Sequence, residues 1–353
     1  MKTFGALLIA FGLAAATIFA ESAKLPPGAM YGSDPSYKVP RAADGHPDLQ
    51  GVWSNNNVTP MTRPRQWKDK VVISEQELKD LQSFMARNVD DGGDAIFQNQ
   101  VQLALDAIEK GKFEQISYDK ATGNYNQFWM VKSDWDRRTS LIIDPTDGQM
   151  PPLTAEAKSR GRGRIPTAED AEGTGRPRPA GPEDLPLGER CITFGAPRTG
   201  AGYNSYLQIF QAPTAVVLLQ EMAHDARIVP IDRDHHLNSN MRQWLGDPRG
   251  RWEGDTFVVE TTNYRTGFMG STPDVKVTER YTRVSRDYIN WVVTVDDSKT
   301  WIQPWSFMVR LKQTHDQVFE YACHEGNHSM TGILAGARIA DQKEAAAKAK
   351  TKN

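Results

Sequence analysis

From residue 125 onward the chain alternates apolar and polar positions in short runs, a pattern typical of β-strands with one buried face. The predicted strands cover residues 125–131, 139–143, 205–210, 215–221, 227–231, 256–262, 275–284, 287–295, 305–311 and 316–322. Links as short as residues 285–286 predict hairpins, because only antiparallel neighbours can be joined by so few residues. We therefore predict a mainly β fold whose antiparallel meander forms a barrel or a strongly curved sheet, since either arrangement limits exposed strand edges.

A helical insertion is predicted ahead of most of these strands, at residues 74–111. Ser74 and Glu77 form a capping-box pattern at the start of a helix over residues 75–87. Apolar residues recur at helical spacing over residues 95–110, which predicts a second helix. Both helices are expected to be scaffold, packing on the sheet or covering one end of it.

The remaining sequence is expected to form one β-rich domain over residues 45–340, preceded by an extended segment at 21–44. Within this domain, residues 159–188 are dominated by Gly, Pro, Arg and Glu, which predicts a long irregular loop. That loop either closes over a site as a lid or is disordered. A C-terminal helix is predicted from about residue 329 to 347, and residues 341–353 are expected to fray into a flexible tail.

Residues 1–20 have the pattern of a secretory signal peptide. Lys2 precedes an apolar run over residues 4–19, and small residues stand near the expected cleavage position. This run is short for a membrane span, although a retained N-terminal anchor is the alternative. We expect an exported protein, periplasmic or secreted, with no membrane span after the signal is removed.

Charge is nearly balanced, with 42 lysine and arginine residues against 44 aspartate and glutamate residues in 353. Nucleic-acid binding requires a positive field or a basic stripe, which this chain lacks, so no nucleic-acid partner is expected. A small-molecule ligand or substrate is the partner that the sequence favours.

Cys191 and Cys323 are the two cysteines of the chain. An oxidising compartment favours a disulfide between them. Two buried thiols are the alternative, because the sequence does not show whether the two β-carbons meet.

The densest group of ionisable and aromatic side chains lies at residues 222–264, directly after an apolar strand-like run. Opposite charges beside histidines and tryptophans are typical of acid–base sites and of polar ligand sites, since burial and close partners shift pKa values toward working pH. The sequence therefore predicts a site in this segment without naming a reaction.

His224 is the predicted proton carrier of that site, because side chains that follow a strand end reach the mouth of a barrel. Asp225 or Glu260 would orient its imidazole. Arg227 would then bind a carboxylate or another oxyanion in two-point fashion. The alternative is a hydrogen-bonded histidine in a corner, with Arg227 joining two loops.

Glu279 is the predicted second acid–base group. Alternation along residues 275–284 places its carboxylate on the same face as Val277 and Tyr281, so it should point into the fold. There it either forms an ion pair with a buried arginine or acts as a general acid or base with a raised pKa. The sequence leaves both alternatives open.

Further residues are predicted to contact the substrate. His236, His324 and Asn327 would supply polar contacts. Trp244 and Trp252 would form a stacking wall for a ring-shaped ligand, although such tryptophans more often belong to a core.

Several histidines and acids raise a transition metal as a less favoured alternative. The residues concerned are His235, His236, His324, His328, Asp234 and Glu325. Their spacing matches no established zinc motif, so no cofactor is expected.

Five segments together resemble a large, mostly uncharacterised family of exported bacterial proteins. They are DLQGVW (48–53), HDARIVPID (224–232), WLGDPRGRWEGDTFVVETTNY (244–264), ERYTRV (279–284) and YACHEGN (321–327). The resemblance spans nearly the whole mature chain and implies export, but it brings no settled activity and no catalytic residue. Separately, Gly51, Val52 and Trp53 are similar to the GxW opening of lipocalin-like barrels, from which the length and the inserted helices depart.

These features lead to the expectation of an exported enzyme that performs acid–base chemistry on a small, partly apolar organic substrate, as a lyase, isomerase or hydrolase. One alternative is a non-catalytic, lipocalin-like binding protein that holds an apolar small molecule. Another is an accessory protein of the cell envelope. An enzyme of the expected kind requires His224, Arg227 and Glu279 to converge on one pocket.

Overall fold

The computed structural model describes residues 28, 30–89, 100–113, 126–160, 178–200, 202–231, 233 and 235–350. Its strands are β1 (Gly51–Ser54), β2 (Ile142–Asp144), β3 (Tyr206–Ala212), β4 (Ala215–Gln220), β5 (Ala226–Pro230), β6 (Asp247–Glu253), β7 (Thr256–Thr262), β8 (Lys276–Arg283), β9 (Tyr288–Asp296) and β10 (Trp305–Thr314). Its helices are α1 (Glu75–Asn88), α2 (Gln100–Lys110), α3 (Ala155–Arg160) and α4 (Ser329–Lys350). The predicted signal peptide at 1–20 and residues 161–177 of the predicted loop lie outside the described residues.

The strands form one antiparallel sheet in the order β5-β4-β3-β1-β10-β9-β8-β7-β6, with β2 paired to β10. The end strands β5 and β6 also lie against each other, where one isolated bridge pairs Ile231 with Gly250. A β-carbon at Gly250 would stand 2.8 Å from the Phe257 ring and 2.9 Å from Val229, so glycine permits this approach. The predicted mainly β fold is confirmed, and the sheet curves until its two ends meet without a continuous ladder between them.

The inner face of the sheet carries the main hydrophobic core. Alternate residues of every long strand point inward, and many of the largest are fully buried. They include Trp53, Phe257, Tyr264, Tyr281, Trp291, Trp305 and Phe307. Aromatic rings of this size fill the inside of a small sheet with side chains.

The helical pair builds a smaller, second core. The predicted capping box is present, because the Ser74 hydroxyl accepts from the Glu77 amide and the Glu77 carboxylate accepts from the Ser74 amide. Leu81 and Met85 of α1 pack with Val101 and Ala104 of α2. The two helices thus pack on each other and on Val58, Trp67 and Ile73 of the segment that follows β1.

Three predicted elements differ in the structure. Residues 125–131 were predicted as a strand, but Gln127–Trp129 form a 3₁₀ turn. Residues 316–322 carry no strand, and the Phe319 and Tyr321 amides donate instead to Glu221 and His224 in the turn between β4 and β5. The additional strand β6 is not among the predicted strands, and it contains Pro248 and Gly250, residue types that are unusual in strands.

The C-terminal helix α4 reaches Lys350 and therefore extends into the predicted tail at 341–353. Most of its residues are exposed, and Ala337 is the one that is fully buried. Among the helices that the structure describes, none combines the length and the apolar character that a membrane span needs.

Candidate functional site

Arg227 and Glu279 meet inside the sheet and form a buried ion pair. Their side chains are 1% and 0% exposed, and two parallel contacts of 2.6 and 2.9 Å join the guanidinium to the carboxylate. Burial disfavours the charge of Arg227, yet the Glu279 carboxylate holds the pKa of Arg227 above its ordinary value. Of the two alternatives for Glu279, the ion pair is the arrangement present in the structure.

The Glu279 carboxylate also accepts two further hydrogen bonds. The Tyr281 hydroxyl donates to Glu279 Oε2 at 2.7 Å, and the Trp291 Nε1 donates to the same oxygen at 3.1 Å. The Tyr281 and Trp291 rings stack on each other with centroids 5.8 Å apart. Four donors occupy this carboxylate, which suits it to holding the core together and leaves it poorly placed to move a proton.

His224 lies at the surface and away from the Arg227–Glu279 pair. Its Nδ1 accepts a hydrogen bond from the Tyr321 amide at 3.1 Å. The Asp225 carboxylate turns elsewhere, accepting from the Thr193 hydroxyl at 2.6 Å and the Phe194 amide at 3.3 Å. Burial raises the pKa of Asp225. The structure therefore does not bring the His224 imidazole together with the carboxylates of Asp225, Glu260 or Glu279.

Residues 315–328, named here the C-terminal strap, cross the end of the sheet that His224 occupies. The Tyr206 hydroxyl binds Asp316 at 2.8 Å, and the Phe319 amide binds Glu221 at 3.0 Å. Burial raises the pKa of Glu221. Tyr206 of β3 and Glu221, which directly follows β4, thus fix the strap through one carboxylate and one backbone amide.

The predicted disulfide between Cys191 and Cys323 is confirmed and ties the strap to the rest of the fold. The Asn327 amide donates to the Cys191 sulfur at 3.2 Å and to the Glu189 carbonyl at 2.9 Å. Cys323 and Asn327 border a pocket of about 390 Å³. His324 is exposed on the strap and does not line that pocket.

His236 is held between two carboxylates on the outer side of β6 and β7. Its Nδ1 lies 3.0 Å from Asp247 Oδ2, and its Nε2 lies 3.4 Å from Glu260 Oε1. Arg249 binds the other Asp247 oxygen at 2.6 Å. Glu260 thus lies beside His236 instead of His224, and Asp247 is a partner that the sequence analysis did not name.

The two predicted stacking tryptophans do not share a wall. Trp252 stacks on His46 at 4.7 Å and also packs on Phe257. Trp244 lies under the Arg265 guanidinium at 4.7 Å. Each ring therefore has a protein partner of its own.

The described residues contain no group of three or more His, Cys, Asp or Glu side chains close enough to hold a metal ion. Asp234, which was considered as a ligand together with His235, lies outside the described residues. The structure thus offers no described ligand set for the metal alternative.

A cavity of about 990 Å³ lies between the helical pair and the outer side of the sheet. Its described lining residues are Gln82, Met85, Ala86, Val89, Gln100, Gln127, Lys132, Ser133, Asp134, Trp135, Tyr288 and Lys312. Helix α1 and Trp135 supply an apolar wall, and polar side chains face it. A concave space with an apolar wall and a few converging polar groups is typical of small-molecule sites.

Asp134 is the most unusual side chain of this cavity. The residue is 6% exposed, and its Oδ2 is buried without a hydrogen-bond partner among the described residues. Its Oδ1 accepts from the Tyr288 hydroxyl at 3.1 Å and lies 3.7 Å from the Lys312 ammonium. Burial raises the pKa of Asp134, and burial together with Asp134 raises the pKa of Tyr288 to about 12.

The backbone explains why these three side chains meet. The Asp134 amide donates to the Asn56 carbonyl at 2.8 Å, and the Asp134 carbonyl accepts from Val58 at 3.1 Å. These bonds attach Asp134 to the chain just after β1. Tyr288 and Lys312 are direct partners across β9 and β10, so both side chains point outward at the same level of the sheet.

Asp136, two residues after Asp134, is a buried carboxylate that is neutralised by an arginine. Arg138 donates to Asp136 Oδ2 from two nitrogens, at 3.1 and 2.7 Å. Burial acts to raise the pKa of Asp136, but the Arg138 guanidinium outweighs it and keeps the pKa below its ordinary value. Asp134 lacks such a partner, and it is therefore the better candidate for chemistry.

None of the site residues predicted from the sequence lines the large cavity. A usable signal was present, because residues 133–138 (SDWDRR) combine acids, arginines and tryptophan as densely as the segment that was chosen. No family model matches the chain, and neither a curated protein nor a solved structure matches it, so conclusions about function rest on this geometry.

Proposed function

We propose that this chain is an enzyme that moves protons to or from a small, partly apolar organic substrate bound in the 990 Å³ cavity, with Asp134 as the acid–base group. The observation that carries the proposal is that Asp134, a buried carboxylate with no hydrogen-bond partner for its Oδ2 among the described residues, lines the cavity. One oxygen of this carboxylate has no described partner to compete with a substrate, whereas four donors occupy the carboxylate of Glu279.

Asp134 suits proton transfer because its raised pKa lies closer to working pH than that of an ordinary aspartate. Tyr288 is a positioning residue in this scheme. Its hydroxyl stays protonated, donates to Oδ1 and so leaves Oδ2 as the oxygen that meets the substrate.

The other lining residues favour proton transfer over covalent hydrolysis. Ser133 is the one serine among the described lining residues, and its hydroxyl accepts a hydrogen bond from the Gln100 amide at 3.0 Å. Met85, Val89 and Trp135 offer an apolar surface for the body of the substrate. Proton transfer at carbon, the step shared by many isomerases and lyases, fits a cavity built in this way.

The proposed enzyme acts outside the cytoplasm. The disulfide and the absence of a membrane-spanning helix among the described residues are compatible with export, and the predicted signal peptide at 1–20 supplies the route. A periplasmic or secreted location is part of the proposal, as is a small-molecule partner.

The experiment uses the purified chain in D₂O with a panel of small ketones, oxo acids and hydroxy acids, and follows deuterium incorporation by NMR. We expect exchange into at least one compound, with a loss of about 10²–10⁴-fold in Asp134→Asn, the usual contribution of a general acid or base. Tyr288→Phe should retain exchange but shift its pH profile, because the partner of Oδ1 is removed.

Asp316→Asn is the matched control, because Asp316 also accepts from a tyrosine hydroxyl but is exposed on the strap. Exchange that survives Asp134→Asn would overturn the proposal. If compounds bind at Asp134 but are neither exchanged nor converted, the proposal of an enzyme is overturned. The result would then support the alternative, a non-catalytic binding protein for a small molecule.

A further inference from the structure

We infer that the substrate of the large cavity is an organic carboxylate, whose anionic group is bound by Lys132 and Lys312 and whose apolar part lies on Met85, Val89 and Trp135. This inference rests on the proposed function, since it concerns the same cavity. It adds the charge and the shape of the substrate, which the role of Asp134 alone does not specify.

The charges around the cavity are unequal. Lys132 and Lys312 are its two cationic lining residues, and Asp134 is the one acidic residue among the described lining residues. Arg310 adds a third cation close by, with its guanidinium 3.7 Å above the centroid of the Tyr288 ring. A cleft that carries one sign of charge beside a low-dielectric wall attracts the opposite charge.

Asp134 does not cancel this positive field. Its Oδ1 lies 3.7 Å from the Lys312 ammonium, longer than a charge-assisted hydrogen bond of 2.7–2.9 Å. Because its pKa is raised, Asp134 remains protonated up to a higher pH than an ordinary aspartate does. The Lys312 ammonium is therefore available to a ligand anion, as is the exposed Lys132 on the same rim.

The cavity has a charged side, which includes Lys312 of β10, and a mostly apolar side at the end of α1. Met85 and Ala86 come from α1, Val89 directly follows its last residue, and Trp135 adds a further apolar surface. Gln82 adds an amide group that suits carboxylate oxygens. A molecule with a carboxylate at one end and an apolar body at the other fits both sides at once, and the volume is of the size used by small-molecule sites.

Calorimetric titration of the full chain with carboxylates and their matched amides tests the inference. The probes are benzoate against benzamide and cyclohexanecarboxylate against cyclohexanecarboxamide. We expect each carboxylate to bind at least about tenfold more tightly than its amide, because a charge-assisted contact is stronger than a neutral one. The difference should shrink in Lys312→Met and vanish in Lys132→Met/Lys312→Met.

Lys276→Met is the matched control, because Lys276 is an exposed lysine on β8 that does not line the cavity. All three positions are exposed, so each variant should fold like the parent, which circular dichroism checks. Binding of the amides as tightly as the carboxylates, or a preference that survives the double variant, overturns the inference and leaves the role of Asp134 intact. Failure of every carboxylate and every amide to bind counts against both.

Discussion

Two buried carboxylates, Glu279 inside the sheet and Asp134 on its outer side, show opposite solutions to the same physical problem. Glu279 is 0% exposed and is met by an arginine, a tyrosine and a tryptophan. Asp134 is 6% exposed and has a tyrosine, a distant lysine and one oxygen without a described partner. Burial is shared, so the completeness of neutralisation is what separates them.

The comparison shows that a buried charge alone does not identify a functional site. Removing one partner of a neutralised pair inside a core is strongly destabilising, because the other charge is left uncompensated. A carboxylate that is buried but only partly neutralised has a raised pKa and an oxygen without a described partner, which are properties expected of an acid–base group. Function is therefore better sought where neutralisation is incomplete than where charges are most numerous.

The largest effect is expected on removing one member of the buried pair. Arg227→Met should lower the free energy of unfolding by about 3–5 kcal/mol, because it leaves Glu279 charged and unpaired in the core. The double variant Arg227→Met/Glu279→Met should recover most of that loss. Urea unfolding followed by circular dichroism measures both, and a double variant as unstable as the single one would contradict the reading of this pair as the neutralised case.

A smaller loss is expected for Asp136→Asn, which weakens the pair with Arg138. The free energy of unfolding should fall by about 1.5–3 kcal/mol at pH 7, the range for hydrogen bonds to charged groups. The folded-state pKa of Asp136 is lowered, so its stabilising contribution is present above the ordinary value of 3.8 and is lost as the pH falls through the folded-state pKa. The difference between parent and variant should therefore shrink on acidification.

The smallest effect, and one of opposite sign, is expected for Asp134→Asn. The variant should be more stable than the parent by about 1 kcal/mol at pH 7, because it removes a partly neutralised buried charge. The folded-state pKa of Asp134 is raised, so the parent is relatively most stable below 3.8 and loses that stability as the pH rises through the folded-state pKa.

The same urea titrations at several pH values compare these two aspartates directly. Toward low pH both variants should approach the parent in free energy of unfolding. Asp134→Asn should lose its extra stability, and Asp136→Asn should lose its deficit. If Asp134→Asn destabilises the chain at neutral pH as Asp136→Asn does, then Asp134 is a neutralised structural residue and the comparison fails.

Periodicity in the sequence was enough for much of the fold. Strand alternation placed Glu279 on the inner face, and the capping-box pattern at Ser74 located the start of α1. Residues 316–322 carried a similar alternation, yet no strand forms there, since Glu221 and His224 bind the backbone that a neighbouring strand would have used. Local pattern therefore predicts elements well only where a partner strand is also present.

The site depends on contacts between residues far apart in the chain, and this is why sequence analysis missed it. The distance between Asp134 and Tyr288 is fixed by the pairing of β9 with β10 and by the attachment of residue 134 beside Asn56. His236 meets Asp247 and Glu260 because its loop crosses two strands. Neither arrangement has a spacing that a single sequence displays.

The junction between β5 and β6 gives the sheet one line of weakness. Along the path from β5 through β1 and β10 to β6, neighbouring strands share ladders of several residues, but here a single bridge, Ile231 to Gly250, joins the described ends. Amide groups along this seam are expected to exchange their hydrogens sooner than those at the centre of the sheet, since opening it breaks few bonds. Local opening would then separate β5 from β6, while the other strands stay paired around the aromatic core.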